Sequence, residues 1–334
     1  MARFRTSAII LILVGVSGWT VLGQPSRRDQ GPQKTNAPGA TKEEFERWMT
    51  ELSNWGRWGQ NDELGAANLI TDAKRREALR LAKTGTTVSL AHDLVDEKGS
   101  DVANPFGIHM IISLDPPLVR DRLNLDYHGG FFTHLDALCH VVYKDKIYNG
   151  LDFRQIVTDD GCARLGITGL KDGLLTRAVL IDVPRVRGVP ALEGGTRVYR
   201  ADIEAWEKQA GVKVGPGDAL LVRTGRWARR AKLGPAGGTA GFDASFLPFL
   251  KDRDVSLLGG DTAHEVPNNI PGLNLTVVHK FAVVARGMNL LDNLDLEAAA
   301  ETAARLKRWE FMIVGSPIRV PKGTGSPINP IAVF

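Results

Sequence analysis

The sequence predicts a single mixed α/β domain, on three observations. Helical and strand-like stretches interleave without strict βαβα order, no internal repeat occurs, and no change of composition after residue 42 divides the chain. Of its 334 residues, 43% are hydrophobic and 24% charged, a globular balance that excludes a disordered, collagenous or coiled-coil protein.

The elements follow in order. Met1 to Arg5 is a short basic start, and Ser7 to Leu22 is nearly uncharged and ends at small residues near Gly23. That pattern predicts a signal peptide over 1–23 and an exported protein, periplasmic or secreted, with no stable membrane span once it is cleaved. The competing reading is an uncleaved anchor, although the apolar run falls short of the roughly 20 residues that span a bilayer. Residues 24–41 are polar and rich in Pro and Gly, which predicts a disordered linker. The remaining domain is then 42–334.

Within it, Thr41 followed by Glu44 forms a capping-box pattern, with Phe45, Trp48, Met49 and Leu52 at helical spacing. Thr71 to Ala82 repeats the logic and stops before Gly85. Strand-like runs follow at Thr86 to Leu90, His109 to Leu114, Ala178 to Val183, Ala219 to Arg223 and Val255 to Leu258, several of them bounded by Gly, Pro or Asp. Arg200 to Gln209 and Leu296 to Lys307 read as helices.

Charge and motif content narrow the function. Arg3 and Arg5 contribute part of the net charge of +4, and no Lys/Arg stripe with interleaved aromatics remains, so nucleic acid is excluded as a partner. Lys322 to Ser326 lacks the spacing of a phosphate loop, and no G-x-S-x-G elbow occurs. Cys139 sits between apolar neighbours and reads as a small core residue. In an exported protein a bond between Cys139 and Cys162 remains open.

The informative stretch is Asp126 to Gly150. Three of the chain's seven histidines, His128, His134 and His140, fall here, with Asp136 among them. On an extended strand these even-numbered residues share a face. His134 and Asp136 would lie about 7 Å apart, right for two ligands of one cation. His140 would lie about 13 Å from Asp136, which suits a proton shuttle beside the metal. His128 would lie about 20 Å from His134 and joins only if Gly129 and Gly130 bend the chain. Nitrogen and oxygen ligands without thiolate favour Zn²⁺ or Mn²⁺, one or two ions per chain, and metal-assisted hydrolysis of a small molecule. For substrate contact the candidates are Trp55 and Trp58, as an aromatic wall, and Asp261 and His264, which with Glu265 form a polar loop that faces substrate or the metal. His92 and His109 read as structural.

The segment THLDALCH resembles the H-x-G-T-H-x-D-x-P-x-H signature of the metal-dependent cyclase or kynurenine formamidase-like hydrolase family. Thr133, His134, Asp136 and His140 match it. Leu138 replaces the proline, Gly130 stands where the first His is expected, and His128 aligns only with Phe131 and Phe132 as extra residues. NWGRWGQNDELGAANLIT, RAVLIDVP, LVRTGRW and the stretch from His279 through GMNLLDNLDLE to the terminus are also similar. The resemblance implies a swivelling β/β/α domain with a mixed sheet, in homodimers or homotetramers. It implies hydrolysis of an N-formyl or cyclic amide, and a second metal position on His279 and Asp292, with Asp in place of the family's Glu. A lactone hydrolase or cyclase on the same metal, and a non-catalytic binding protein of this fold, are the alternatives; His140 argues against the last.

Overall fold

The structure is a computed structural model that describes residues 39–235, 237–273 and 276–334. The signal peptide and most of the linker fall outside the described residues.

The domain is built on a nine-stranded mixed sheet. Its centre is four parallel strands, Leu174–Asp182, Ala219–Arg223, Leu257–Gly260 and Asn289–Asp292. Residues 219–223, 257–260 and 289–292 are buried throughout, as strands covered on both faces require, and their short apolar runs fit that environment. On one side the sheet continues antiparallel through Glu310–Gly315, Ile331–Val333 and Thr87–Ser89. On the other, His134–Asp136 pairs antiparallel with Asn289–Asp292, and Gly325–Pro327 closes the edge. This is the mixed α/β domain expected.

Helix Lys42–Glu51 begins as expected: Thr41 Oγ1 accepts from Glu44 N, and Glu44 reaches back to the Thr41 N–H. It buries Phe45 and Met49. The second helix is shorter than expected, Asp72–Leu79, and packs on Leu174–Asp182. Helices Arg200–Ala210 and Glu297–Leu306 lie within a residue or so of their expected bounds. Among the described residues no helix is long and apolar enough to cross a membrane.

The run from His109 is a strand as expected, Gly107–Leu114, which among the described residues pairs with Pro117–Asn124 in an exposed hairpin apart from the main sheet. Cys139 is buried in the core as expected, and the bond to Cys162 that the sequence left open is formed.

Candidate metal centre

The centre forms where the parallel strands give way to the antiparallel edge. His134 and Asp136 lie two residues apart on one strand and therefore share a face. Asp292 stands directly opposite His134 in register, so its side chain joins that face. All three are buried, and their ligand atoms lie within 4.8 Å of one another. Nε2 of His134 is 3.4 Å from Asp136 Oδ1 and 3.9 Å from Asp292 Oδ2. Its other ring nitrogen, Nδ1, lies 2.8 Å from the Phe132 carbonyl, which fixes the ring and aims Nε2 at the carboxylates.

Three more imidazoles close in, two from loops and His279 from the short helix Val277–His279. His128 Nδ1 lies 3.2 Å from Asp136 Oδ1, and its Nε2 is 3.0 Å from Thr324 Oγ1. The bend expected after it is present: Gly129 has φ 132°, a conformation open to glycine. Gly325 gives the ring room, because a Cβ there would meet His128 Cε1 at 2.9 Å. His264 Nε2 is 3.1 Å from Asp292 Oδ1; the residue holds φ 63°, an uncommon backbone for a side chain of this size. His279 Nε2 is 3.1 Å from Asp292 Oδ2 and 3.8 Å from Asp136 Oδ2. Its backbone N–H donates to Glu265 Oε1, which also lies 2.9 Å from its Nδ1.

The extended-chain argument for His140 fails. The strand ends at Asp136, and a turn in which the His140 N–H donates to the Ala137 carbonyl folds the chain back. His140 Nε2 thereby reaches 3.9 Å from Asp136 Oδ1, and its ring stacks on His128 at 3.9 Å between centroids and 6° between planes.

The substrate assignments of Asp261, Trp55 and Trp58 also need correction. Asp261 is wholly buried, and its carboxylate accepts from the N–H and hydroxyl of Thr224 and from the N–H groups of Gly225 and Arg226. It caps the turn into helix Arg226–Leu233 rather than facing a substrate. Asp261→Ala should therefore lower unfolding free energy by about 3 kcal/mol or more, because buried donors lose their acceptor. Denaturant titration checks this, and a loss under about 1 kcal/mol would contradict the capping role. The Trp55 indole N–H donates to the Val284 carbonyl, and Arg57 stacks over Trp58; neither Trp is among the residues that line the cleft.

Two residues escaped the sequence reading. Asn293, at φ 56°, donates through Nδ2 to the carbonyls of Gly129 and Phe132. The Arg226 guanidinium donates to Asn293 Oδ1 and the Gly130 carbonyl. Together they hold the loop that carries His128 to His134. The Asp-Asn step after a strand is a turn signal that could have marked Asn293; Arg226 had no such local signal.

The donor set fits a divalent cation. Both oxygens of Asp136, Oδ1 of Asp292, Nδ1 of His128, Nε2 of His264 and Oε2 of Glu265 are buried without a hydrogen-bond partner. Several of these atoms lie within 3.1 to 3.2 Å of one another, yet their directions are not those of hydrogen bonds. Buried polar atoms so close and unpaired are aimed at something between them. The electrostatics agree. Burial works to raise the Asp136 and Asp292 carboxyls, but the imidazoles of His128 and His134 hold the first below the ordinary carboxylate range, and His279 and His264 hold the second well below it. Burial likewise opposes charge on His134 and His279, yet the carboxylates push His134 up to about 9 and His279 well above its ordinary value. The cluster thus demands positive charge, which a divalent cation among these nitrogen and oxygen donors would supply.

Over the cluster lies an open cleft of about 470 Å³, floored by His134, Asp136, His140, His279 and Asp292 and walled by Gly129, Gly130, Val141, Val142 and Ala263.

A mixed sheet with such a cluster at its parallel-to-antiparallel junction defines a cyclase-type domain. The Cyclase family pattern matches residues 68–264, and the chain belongs to that family. The crystal structure of a novel cyclase superposes with a TM-score of 0.76 and 30% identity, over 86% of this chain and 99% of that one. An isatin hydrolase bound to the product analogue thioisatinate gives 0.52 and 19%, over 74% of this chain and 92% of that one. Isatin hydrolase A from Labrenzia aggregata, bound to benzyl benzoate, gives 0.51 and 19%, over 74% and 93%. At that identity the isatin hydrolases share the fold. No curated protein matches the chain.

Proposed function

We propose that the protein is a metal-dependent hydrolase that cleaves the C–N bond of a small N-formyl or cyclic amide. The observation that carries the proposal is Asp136, fully buried with both carboxylate oxygens unpartnered, among imidazoles at the floor of an open cleft.

The residues that would hold the cation are His128, His134, Asp136, His279 and Asp292, with His264 beside Asp292. When bound, such an ion lowers the pKa of a coordinated water and polarises a substrate carbonyl. His140 lies beside these groups with a partly exposed ring. Burial pulls its pKa below the ordinary histidine value, so at neutral pH it is free to accept a proton at Nε2 and pass it to the leaving nitrogen. Stacking on His128 fixes the plane in which it does so. The glycine and small apolar walls suit a flat substrate, and about 470 Å³ lies within the range of small-molecule sites. That the related fold of an isatin hydrolase holds a product analogue supports a cyclic amide. Metal-loaded protein should hydrolyse isatin or N-formylkynurenine faster than simple lactones; hydrolysis of lactones alone would overturn the amide reading.

Glu265 orients His279 through two contacts to one oxygen. Glu265→Gln should weaken metal binding about 10- to 100-fold, read by competition with a chelator, while leaving the fold intact. An unchanged affinity would leave Glu265 no part in the centre.

We also propose that the mature chain works outside the cytoplasm, a reading supported by the Cys139–Cys162 disulfide, since such bonds persist there. Mass spectrometry of the exported protein should find an N-terminus near Gln24. An intact Met1 on the exported chain would favour the anchor.

A further inference from the structure

Helix Arg226–Leu233 carries Arg226, Arg229 and Arg230 at positions i, i+3 and i+4, so three guanidiniums lie along one face. Like charges at that spacing oppose one another. Two of them have a carboxylate partner, Glu193 for Arg229 and Asp101 for Arg230. Arg226 does not. Its residue is 9% exposed, and its side chain donates to neutral oxygens, Asn293 Oδ1 and the carbonyls of Gly130 and Asp261. Among the described residues no carboxylate oxygen accepts from the Arg226 side chain, and the Asp261 carboxylate is taken up by main-chain N–H groups and Thr224.

A buried charge is ordinarily paired. Burial accordingly pulls Arg226 down to about 10, even though Asp261 and Asp101 act to hold it up. Three guanidiniums against two carboxylates leave one positive charge in excess, and it sits on the most enclosed of the three.

These side chains border a cavity of about 210 Å³. Gly130 is the one residue that lines both this cavity and the metal cleft, so a single loop separates the two. The rest of the wall includes Leu192, Pro235 and Ala240, and is therefore partly apolar.

We infer that this cavity is a second binding site, which takes a small carboxylate with a short apolar body and turns its oxygens toward Arg226 and Arg230. The planar fork of a guanidinium matches a carboxylate in shape and charge. Asp101 takes Nε and Nη2 of Arg230, and among the described residues Nη1 has no hydrogen-bond partner. Both guanidiniums are also held over aromatic faces, Arg226 at 4.5 Å from the Trp227 ring and Arg230 at 4.9 Å from that of Phe131. Donors fixed in this way lose little freedom when a ligand arrives. Phosphate or sulfate would satisfy the charge but leave Leu192, Pro235 and Ala240 facing a polar ion, so the lining favours an organic acid. The acid released by hydrolysis of a formyl or cyclic amide belongs to this class, a link that rests on the proposed function, whereas the site does not.

Benzoate is a suitable probe. Calorimetric titration of the full-length protein should show saturable binding at one site, with a Kd of about 0.1 to 1 mM for a ligand of this size. Benzamide, the same shape without the charge, should bind at least about 10-fold more weakly. Arg230→Gln should weaken benzoate binding by about 10-fold or more. Asp136→Ala, which alters the metal cleft, should leave it unchanged, and so the test does not depend on metal or turnover. A reading on the unaltered protein guards against a misfolded variant: benzoate should slow modification of Arg229 and Arg230 by phenylglyoxal, mapped by mass spectrometry of the peptides. Absence of saturable binding, equal binding of benzamide, loss of binding in Asp136→Ala, or arginines that benzoate fails to protect would each overturn the inference. Tighter binding of inorganic phosphate than of benzoate would overturn the ligand class.

Discussion

Asp136→Ala should leave the protein without bound metal and without activity. Asp136 is the one residue common to both clusters of ligand atoms, His128 with Asp136 and His140, and His134 with Asp136 and Asp292. Its two oxygens face different sets of imidazoles, Oδ1 toward His128 and His134 and Oδ2 toward His279. Removing the carboxylate thus takes a ligand from every position an ion could occupy. The backbone should survive, because the Asn289 side chain donates to the Asp136 carbonyl and the strand pairing is main-chain. The expected result is metal content falling from about one or two ions per chain to a trace. Turnover should fall to background, about 10⁴-fold or more, since both the activated water and the polarised carbonyl depend on the ion. Asp292→Ala, which empties only one cluster, should lose less metal. Full occupancy by elemental analysis in Asp136→Ala would remove the basis of the assignment.

His140→Ala should separate chemistry from binding. At 3.9 Å from Asp136 Oδ1, its Nε2 stands farther off than those of its neighbours, 3.2 Å for His128 Nδ1 and 3.4 Å for His134 Nε2. The turn that places it is held by a backbone hydrogen bond and by the adjacent disulfide, both of which the substitution leaves in place. Metal content should therefore stay near that of the wild type while kcat falls about 10²- to 10⁴-fold, the scale of a lost general acid or base. Both quantities must be measured on one preparation. If metal and activity vanish together, His140 is a ligand and the proton carrier must be sought elsewhere.

What the sequence revealed and what it hid divide along range. Caps such as Thr41 and runs such as Ala219 to Arg223 are local, and they appear where expected. Parity worked for His134 and Asp136 because a strand does run through them. It misled for His140 because the strand ends at Asp136 and a turn takes over, and no spacing rule announces that turn. For His128 the parity was irrelevant, and a bend at Gly129 does the work. Asp261 follows a strand, Asp292 ends one, and the two are the same residue type. Only the neighbours they meet in space, backbone N–H groups for one and imidazoles for the other, tell a cap from a metal-site carboxylate. The pairing of His134 with Asp292 joins residues far apart in the chain, and periodicity cannot see it.

That pairing also sets when the centre can exist. The strand bearing His134 and Asp136 lies between Asn289–Asp292 and Gly325–Pro327, so both of its neighbours come from more than 150 residues further along the chain. Contacts of such sequence separation form late and slowly in folding. A chain in which that edge has not yet formed holds the histidines but not their arrangement. An ion is then expected to be held only after the edge strand has closed, so loading should follow folding rather than guide it.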